Sequence, residues 1–183
     1  MFQAMKEARR LRAFREDLPV LRELCRPGPE VRLLDVGGGT GAVTEAFAKG
    51  CGEIVVIEPD GRRIAAGSVR RPAIRFVPGT AESIPFPPGS FDCVTAIVSF
   101  HHLHDQSRAL SEMRRVLRDG GRLVFMDFYP DSGTGRLLRF VGGSLHRHGL
   151  RPPEQVTETV RSAGFREVGL RRGRRGFYVS AMK

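Results

Sequence analysis

The sequence predicts an α/β fold, a doubly wound sheet of mostly parallel strands with helices on both faces. Two observations carry that expectation. From residue 31 onward, short runs rich in Val and Ile alternate with helix-length segments, and the runs are continuously apolar, as strands covered on both faces must be. The chain then ends on two short runs joined by an arginine- and glycine-rich turn, the pattern of an antiparallel hairpin.

Taken in order, residues 1–24 read as one amphipathic helix, with Phe2, Met5, Leu11, Phe14 and Leu18 on one side and arginines on the other. VRLLDV (31–36), EIVVIEP (53–59) and IRFVPG (74–79) are the first three strands, and VTEAFAKG (43–50) and GRRIAAGSVR (61–70) the helices between them. FDCVTAIVSF (91–100) is the fourth strand. In SRALSEMRRVLR (107–118), Ala109, Leu110, Met113, Val116 and Leu117 recur at helical spacing and give one apolar face. A DGG turn leads from there into the fifth strand, RLVFMDFY (122–129). Residues 129–152 have no clear place in a sheet and suit a pocket-shaping insertion or a surface excursion. A helix over 153–163 precedes the hairpin strands REVGLRR (166–172) and GFYVSAMK (176–183).

At 183 residues the chain is sized for a single domain over 1–183. Its parts are an N-terminal helical segment (1–30), a core (31–128), the possible insertion (129–152) and the C-terminal helix and hairpin (153–183). No apolar run approaches the roughly 18 residues of a membrane span, and the charged N-terminus is unlike a signal peptide, so a cytoplasmic location is expected. Cys25, Cys51 and Cys93 lack the spacing of a zinc site or a disulfide framework and read as reduced packing residues. The net charge of +10 comes almost wholly from arginine, since Lys6, Lys49 and Lys183 are the only lysines. Asparagine is absent, so the excess reflects base composition before it reflects a partner, and nucleic acid stays a possible one.

The chemistry concentrates after the first strand. Gly37, Gly38, Gly39 and Gly41 let a loop turn tightly and bring its backbone against a ligand at the carboxyl end of the sheet. Gly37-x-Gly39-x-x-Ala42 also satisfies the dinucleotide pattern, which on its own is weak. Asp35 tips the balance, because a carboxylate at the mouth of the loop repels a pyrophosphate and accepts from an ammonium group. Glu58 ends the second strand, where an acid can take both hydroxyls of a ribose. Ribose plus cation, with no phosphate required, describes S-adenosylmethionine.

With those residues in place, the chain resembles the class I S-adenosylmethionine-dependent methyltransferases of the small-molecule type that includes ubiquinone- and menaquinone-biosynthesis enzymes. The resemblance runs in order over about residues 31–128: Asp35-x-Gly37-x-Gly39-x-Gly41, Glu58, GTAESIPFPPGSFDCV, SFHHLHD and EMRRVLRDGGRLVFMDF. It implies a Rossmann-like seven-stranded sheet of order 3-2-1-4-5-7-6 with strand 7 antiparallel. It also implies that Asp35 and the Gly37–Gly41 backbone hold the methionine part and that Glu58, followed by Pro59, holds the ribose. Ala81 and Glu82 would lie along the adenine, with Ser99 under the ligand at the end of strand four. Thr80 departs from the acidic residue common at its position, and a hydroxyl accepts less strongly than a carboxylate.

The expected activity is methyl transfer to an unidentified acceptor, most simply a small molecule. The alternatives are an RNA or protein methyltransferase and a catalytically idle cofactor-binding module. Asp35 and the terminal hairpin disfavour a nicotinamide-dependent oxidoreductase. If the acceptor must lose a proton, His101, His102 and His104 stand past strand four, and the resemblance points to His102. Adjacent histidines on an extended backbone point in opposite directions, so no metal is expected. The turn RRGRRG (171–176) lies on the cofactor edge in this fold, as a solvated turn or as a guide for an acidic acceptor.

Overall fold

The computed structural model describes residues 2–130 and 150–183, so most of the expected insertion over 129–152 lies outside the described residues. Helices α1 (Phe2–Ala13) and α2 (Leu18–Cys25) precede β1 (Arg32–Val36), α3 (Ala42–Ala48), β2 (Glu53–Glu58), α4 (Gly61–Arg70) and β3 (Arg75–Pro78). β4 (Phe91–Ile97), a 3-10 turn (Phe100–His102), α5 (Gln106–Val116) and β5 (Leu117–Phe128) follow. The chain closes with α6 (Pro153–Ser162), β6 (Arg166–Arg172) and β7 (Gly176–Met182). The strands form one seven-stranded sheet of order β3-β2-β1-β4-β5-β7-β6. β1 to β5 run parallel and β7 is antiparallel to both of its neighbours, as expected.

Period-2 alternation divides the strands between two cores. Leu34, Val36, Val94, Ala96, Leu123 and Phe125 pack with Ala109, Leu110, Met113 and Val116 of α5 and with Val156 and Val160 of α6. Leu33, Cys93, Ile97, Val124 and Met126 pack on the other face with Phe14, with Leu21 and Cys25 of α2 and with Val43 and Phe47 of α3. Truncating a fully buried ring such as Phe47 to alanine would cost roughly 3–5 kcal/mol. Asp35 and Thr95 are register partners in β1 and β4, and they point to the α3 face because Leu34 and Val94 point to the other.

The single helix expected over residues 1–24 is two helices. Pro19 sits in the first turn of α2, and a helix cannot run through it because proline offers no N–H to the residue four back. The break brings Phe14 and Asp17 into the structure at 5% and 6% exposure, while Met5, expected on the docking side, is 64% exposed. α5 also ends at Val116, not at Arg118, because Leu117 already pairs with Phe91 and the ladder resumes only at Cys93 and Arg122. The DGG turn bulges out between those two points, with Gly120 at φ 72°.

Candidate cofactor site

β1, β2 and β4 end side by side on one edge of the sheet, and the glycine turn crosses them. The Gly37 N–H donates to Ile57 O at 2.9 Å, extending the β1–β2 ladder by one bond before the backbone swings away. Gly37 adopts φ 72°, and a Cβ there would stand 2.8 Å from the Ser99 Cβ. At Gly38 a Cβ would stand 2.6 Å from the Asp35 carboxylate, so these two glycines let the turn lie flat on the strand ends. Gly39 and Gly41 also have positive φ, and Gly41 caps α3.

Two carboxylates are buried around this turn. Asp35 is 2% exposed, and it accepts from the Thr95 hydroxyl at 2.7 Å and from the Thr44 hydroxyl at 2.5 Å. Glu58 is 3% exposed and accepts from Gly39 N at 3.0 Å and from Asp60 N at 3.2 Å, with the Arg63 guanidinium 3.7 Å away. An ionised carboxylate is an acceptor only, and two buried carboxylates at adjacent strand ends suit a ligand that donates from an ammonium and a diol. Thr44 and Thr95 were missed from the sequence. The signal for Thr95 was the register itself, since a threonine opposite a buried aspartate has a reason to be there, whereas Thr44 reaches Asp35 from α3.

Ser99 is 6% exposed and donates to Val36 O at 2.7 Å, tying the end of β4 to the end of β1 beneath the turn. Pro59 is exposed beyond Glu58. On the β3 side, exposed Thr80 forms a bridge with Ser83, and Ala81 is buried in the core. Glu82 turns toward the β4–α5 loop, accepting from His104 N at 3.0 Å and Asp105 N at 3.4 Å, while its carbonyl accepts from Arg108. A cavity of about 280 Å³ opens beside that loop, lined by Leu103, His104, Asp105, Gln106, Ser107, Arg151 and Thr159.

The histidines divide. His102 is exposed, and its ring lies 4.0 Å from that of His101, centroid to centroid. His101 is 3% exposed, and its Nδ1 is 2.9 Å from both oxygens of Asp127. The sequence reading passed over this pair.

The arginine turn is engaged by the chain's own acids. Arg171 pairs with Glu23 at 2.8 Å, Arg175 with Asp17 at 3.3 Å and Arg174 with Glu16 at 3.7 Å, while Arg172 pairs with Glu154. Asp17 also accepts from the Tyr178 hydroxyl, and burial together with that carboxylate pushes the phenol well above its ordinary pKa. The turn lies on the cofactor edge, because Phe128 at the end of β5 pairs with Gly176 at the start of β7.

The model of a family described as methyltransferase domain matches residues 34–125, half of the chain and the whole of this edge from β1 to β5. The chain belongs to that family. S-adenosylmethionine is the cofactor that the family and its structural neighbours indicate. Among curated relatives, the uncharacterized methyltransferase YcgJ of Bacillus subtilis is 33% identical over 150 residues, covering 79% of this chain and 57% of the relative. A demethylmenaquinone methyltransferase of Renibacterium salmoninarum is 33% identical over 143 residues, covering 73% of this chain and 60% of the relative. The chain thus spans little more than half the length of these relatives. The crystal structure of YcgJ superposes with a TM-score of 0.74 at 25% identity, covering 86% of this chain and 71% of that one. A Thermotoga maritima methyltransferase, titled a possible histamine N-methyltransferase, superposes with a TM-score of 0.75 at 21% identity over 98% of this chain and 95% of its own, a likeness of fold alone. Among the described residues, no helix is long and apolar enough to cross a membrane.

Proposed function

We propose that the chain transfers the methyl group of S-adenosylmethionine to a small-molecule acceptor. The observation that carries the reading is the pair of buried carboxylates, Asp35 and Glu58, at adjacent strand ends around a glycine turn. Asp35, held rigid by two hydroxyls, takes the ammonium of the methionine part, and the Gly37–Gly41 backbone lies against it. Glu58 takes the ribose hydroxyls, with Pro59 beyond it. Thr80, Ala81 and Glu82 border the adenine, and Ser99 supports the turn from below. When bound, the cofactor supplies a methyl carbon already activated by its sulfonium leaving group, so placement in a dry site is most of what the protein must contribute.

The small-molecule preference rests on the relatives, one of which is named for demethylmenaquinone, and on the engagement of the turn's arginines within the chain. A cytoplasmic site of action is supported by the free cysteines Cys25, Cys51 and Cys93. The test is incubation with methyl-labelled S-adenosylmethionine and a desalted cell extract divided into low-mass, RNA and protein fractions. Label in the low-mass fraction, with stoichiometric S-adenosylhomocysteine, is the expected result. Label confined to RNA or protein overturns the acceptor class, and cofactor binding without any product would make the chain an idle module.

A further inference from the structure

The turn from Gly37 to Gly41 holds a single residue with a side chain, Thr40, and a buried arginine from another element grips it. Arg71 directly follows α4, its N–H on Gly67 O at 2.8 Å, and it is 7% exposed. The guanidinium fans out to three elements. One nitrogen donates to Thr40 O at 3.1 Å, a second to Glu45 of α3 at 3.0 Å and the third to Glu7 of α1 at 3.0 Å. Arg70 donates to the same Glu7 carboxylate at 2.8 Å, and the Thr40 hydroxyl donates to it as well. Glu7 therefore holds Thr40 twice, directly at its hydroxyl and through Arg71 at its carbonyl. A Cβ at Gly67 would stand 3.0 Å from Thr40 O, so α4 comes this close to the turn only without a side chain there.

The neighbouring Gly39 N donates to Glu58 at 3.0 Å, so adjacent residues of the turn answer to the acid that takes the ribose and to this second cluster. Glycine loses more conformational freedom on ordering than any other residue, and the turn has four. Left loose, it would be ordered by the ligand, and that cost would subtract from affinity. Held beforehand at Thr40, it meets the ligand already formed. Exposed ion pairs contribute little, but this guanidinium is buried and each of its bonds is charge-assisted. Building on the S-adenosylmethionine reading, we infer that Arg71 and Glu7 are positioning residues for the glycine turn, and that docking of α1 and binding of the cofactor strengthen one another. The coupling is reciprocal by necessity. Whatever factor α1 docking adds to cofactor affinity, the cofactor adds to α1 docking.

The experiment uses the full chain and S-adenosylhomocysteine, which keeps the ammonium, carboxylate and ribose of the cofactor and is not consumed. Calorimetry gives its affinity, hydrogen exchange at one pH gives the protection of Phe2–Ala13 with and without it, and thermal unfolding gives stability. In the wild type, saturating ligand should raise α1 protection by about 5-fold or more, the lower end of the usual range of coupling. Glu7→Gln keeps an acceptor oxygen but removes the charge, so it should weaken binding by a similar factor and abolish the ligand-dependent protection. Arg71→Lys keeps the charge, yet one ammonium cannot span three acceptors set around a planar fork, and it should weaken binding as well. Val160→Ala, which lowers the melting temperature from the core on the other face of the sheet, should leave affinity within twofold. Affinity within twofold of wild type in Glu7→Gln, whatever its melting temperature, would overturn the inference. So would α1 protection that ignores the ligand in the wild type, or binding weakened equally by Val160→Ala. A wild type that binds no S-adenosylhomocysteine would defeat the methyltransferase reading, and this inference with it.

Discussion

Replacing Asp35 by alanine strands the Thr44 hydroxyl and leaves that of Thr95 only a long bond to Leu34 O at 3.4 Å, in a place from which water is excluded. Each buried group left unsatisfied costs about 1–3 kcal/mol, so Asp35→Ala should lower the melting temperature as well as cofactor affinity. Asp35→Asn keeps an oxygen for one hydroxyl and an amide for the other, so it should fold normally and lose about 10-fold or more in affinity, the share due to charge. Thermal unfolding followed alongside calorimetry separates the two effects, and equal melting temperatures for Ala and Asn would refute the clamp. At this scale the site was only half legible. Asp35, Glu58 and the glycines announce themselves by type and spacing, whereas Thr95 acquires meaning from strand register, Thr44 from the docking of α3, and the His101–Asp127 pair from a turn that brings residues 26 apart into contact.

Among the elements, α1 bears on the glycine loop. Arg71 is 7% exposed, and it donates to Thr40 O in the glycine loop at 3.1 Å while pairing with Glu7 of α1 at 3.0 Å and with Glu45 of α3 at 3.0 Å. Burial works against the Glu7 charge, but hydrogen bonds from Arg71, Thr40 and Arg70 outweigh it and hold the carboxyl below its ordinary pKa. A depressed folded pKa means stability present above the unfolded value and lost as pH falls through the folded one. Acid should therefore release α1, read as falling protection of the Phe2–Ala13 amides relative to their intrinsic exchange rate at each pH, and Glu7→Gln should flatten that pH dependence. Protection of α1 that stays constant with pH in the wild type would exclude this coupling. The β6–β7 turn is held in a comparable way from the acidic side, by Glu16, Asp17 and Glu23. Changing Arg171, Arg172, Arg174 and Arg175 together to glutamine should lower the melting temperature and loosen α2. Individual exposed pairs contribute little, and the Asp17 pair, buried with Tyr178, should dominate. An unchanged melting temperature with slower turnover would return the turn to a role in guiding the acceptor. Sequence placed this turn on the right edge but could not show its acids, because they come from the N-terminal segment, whose break at Pro19 is what turns Asp17 inward.

For the molecule as a whole, the strands and helices were readable from the apolar runs and their order from the resemblance to the methyltransferases, and the sheet has that order. The two-faced core then decides where chemistry sits. Asp35 points to the α3 face and Asp127 to the α5 face, and the edge where β1, β2, β4 and β5 end is where those directions meet. The most direct test of that edge as the cofactor site is calorimetric titration of the wild type and Glu58→Gln with S-adenosylmethionine and, separately, with NAD. One S-adenosylmethionine site per chain, no NAD binding, and affinity about 10-fold or more weaker in Glu58→Gln at an unchanged melting temperature are expected. Binding of NAD in place of S-adenosylmethionine, or affinity in Glu58→Gln within twofold of wild type, would contradict that assignment.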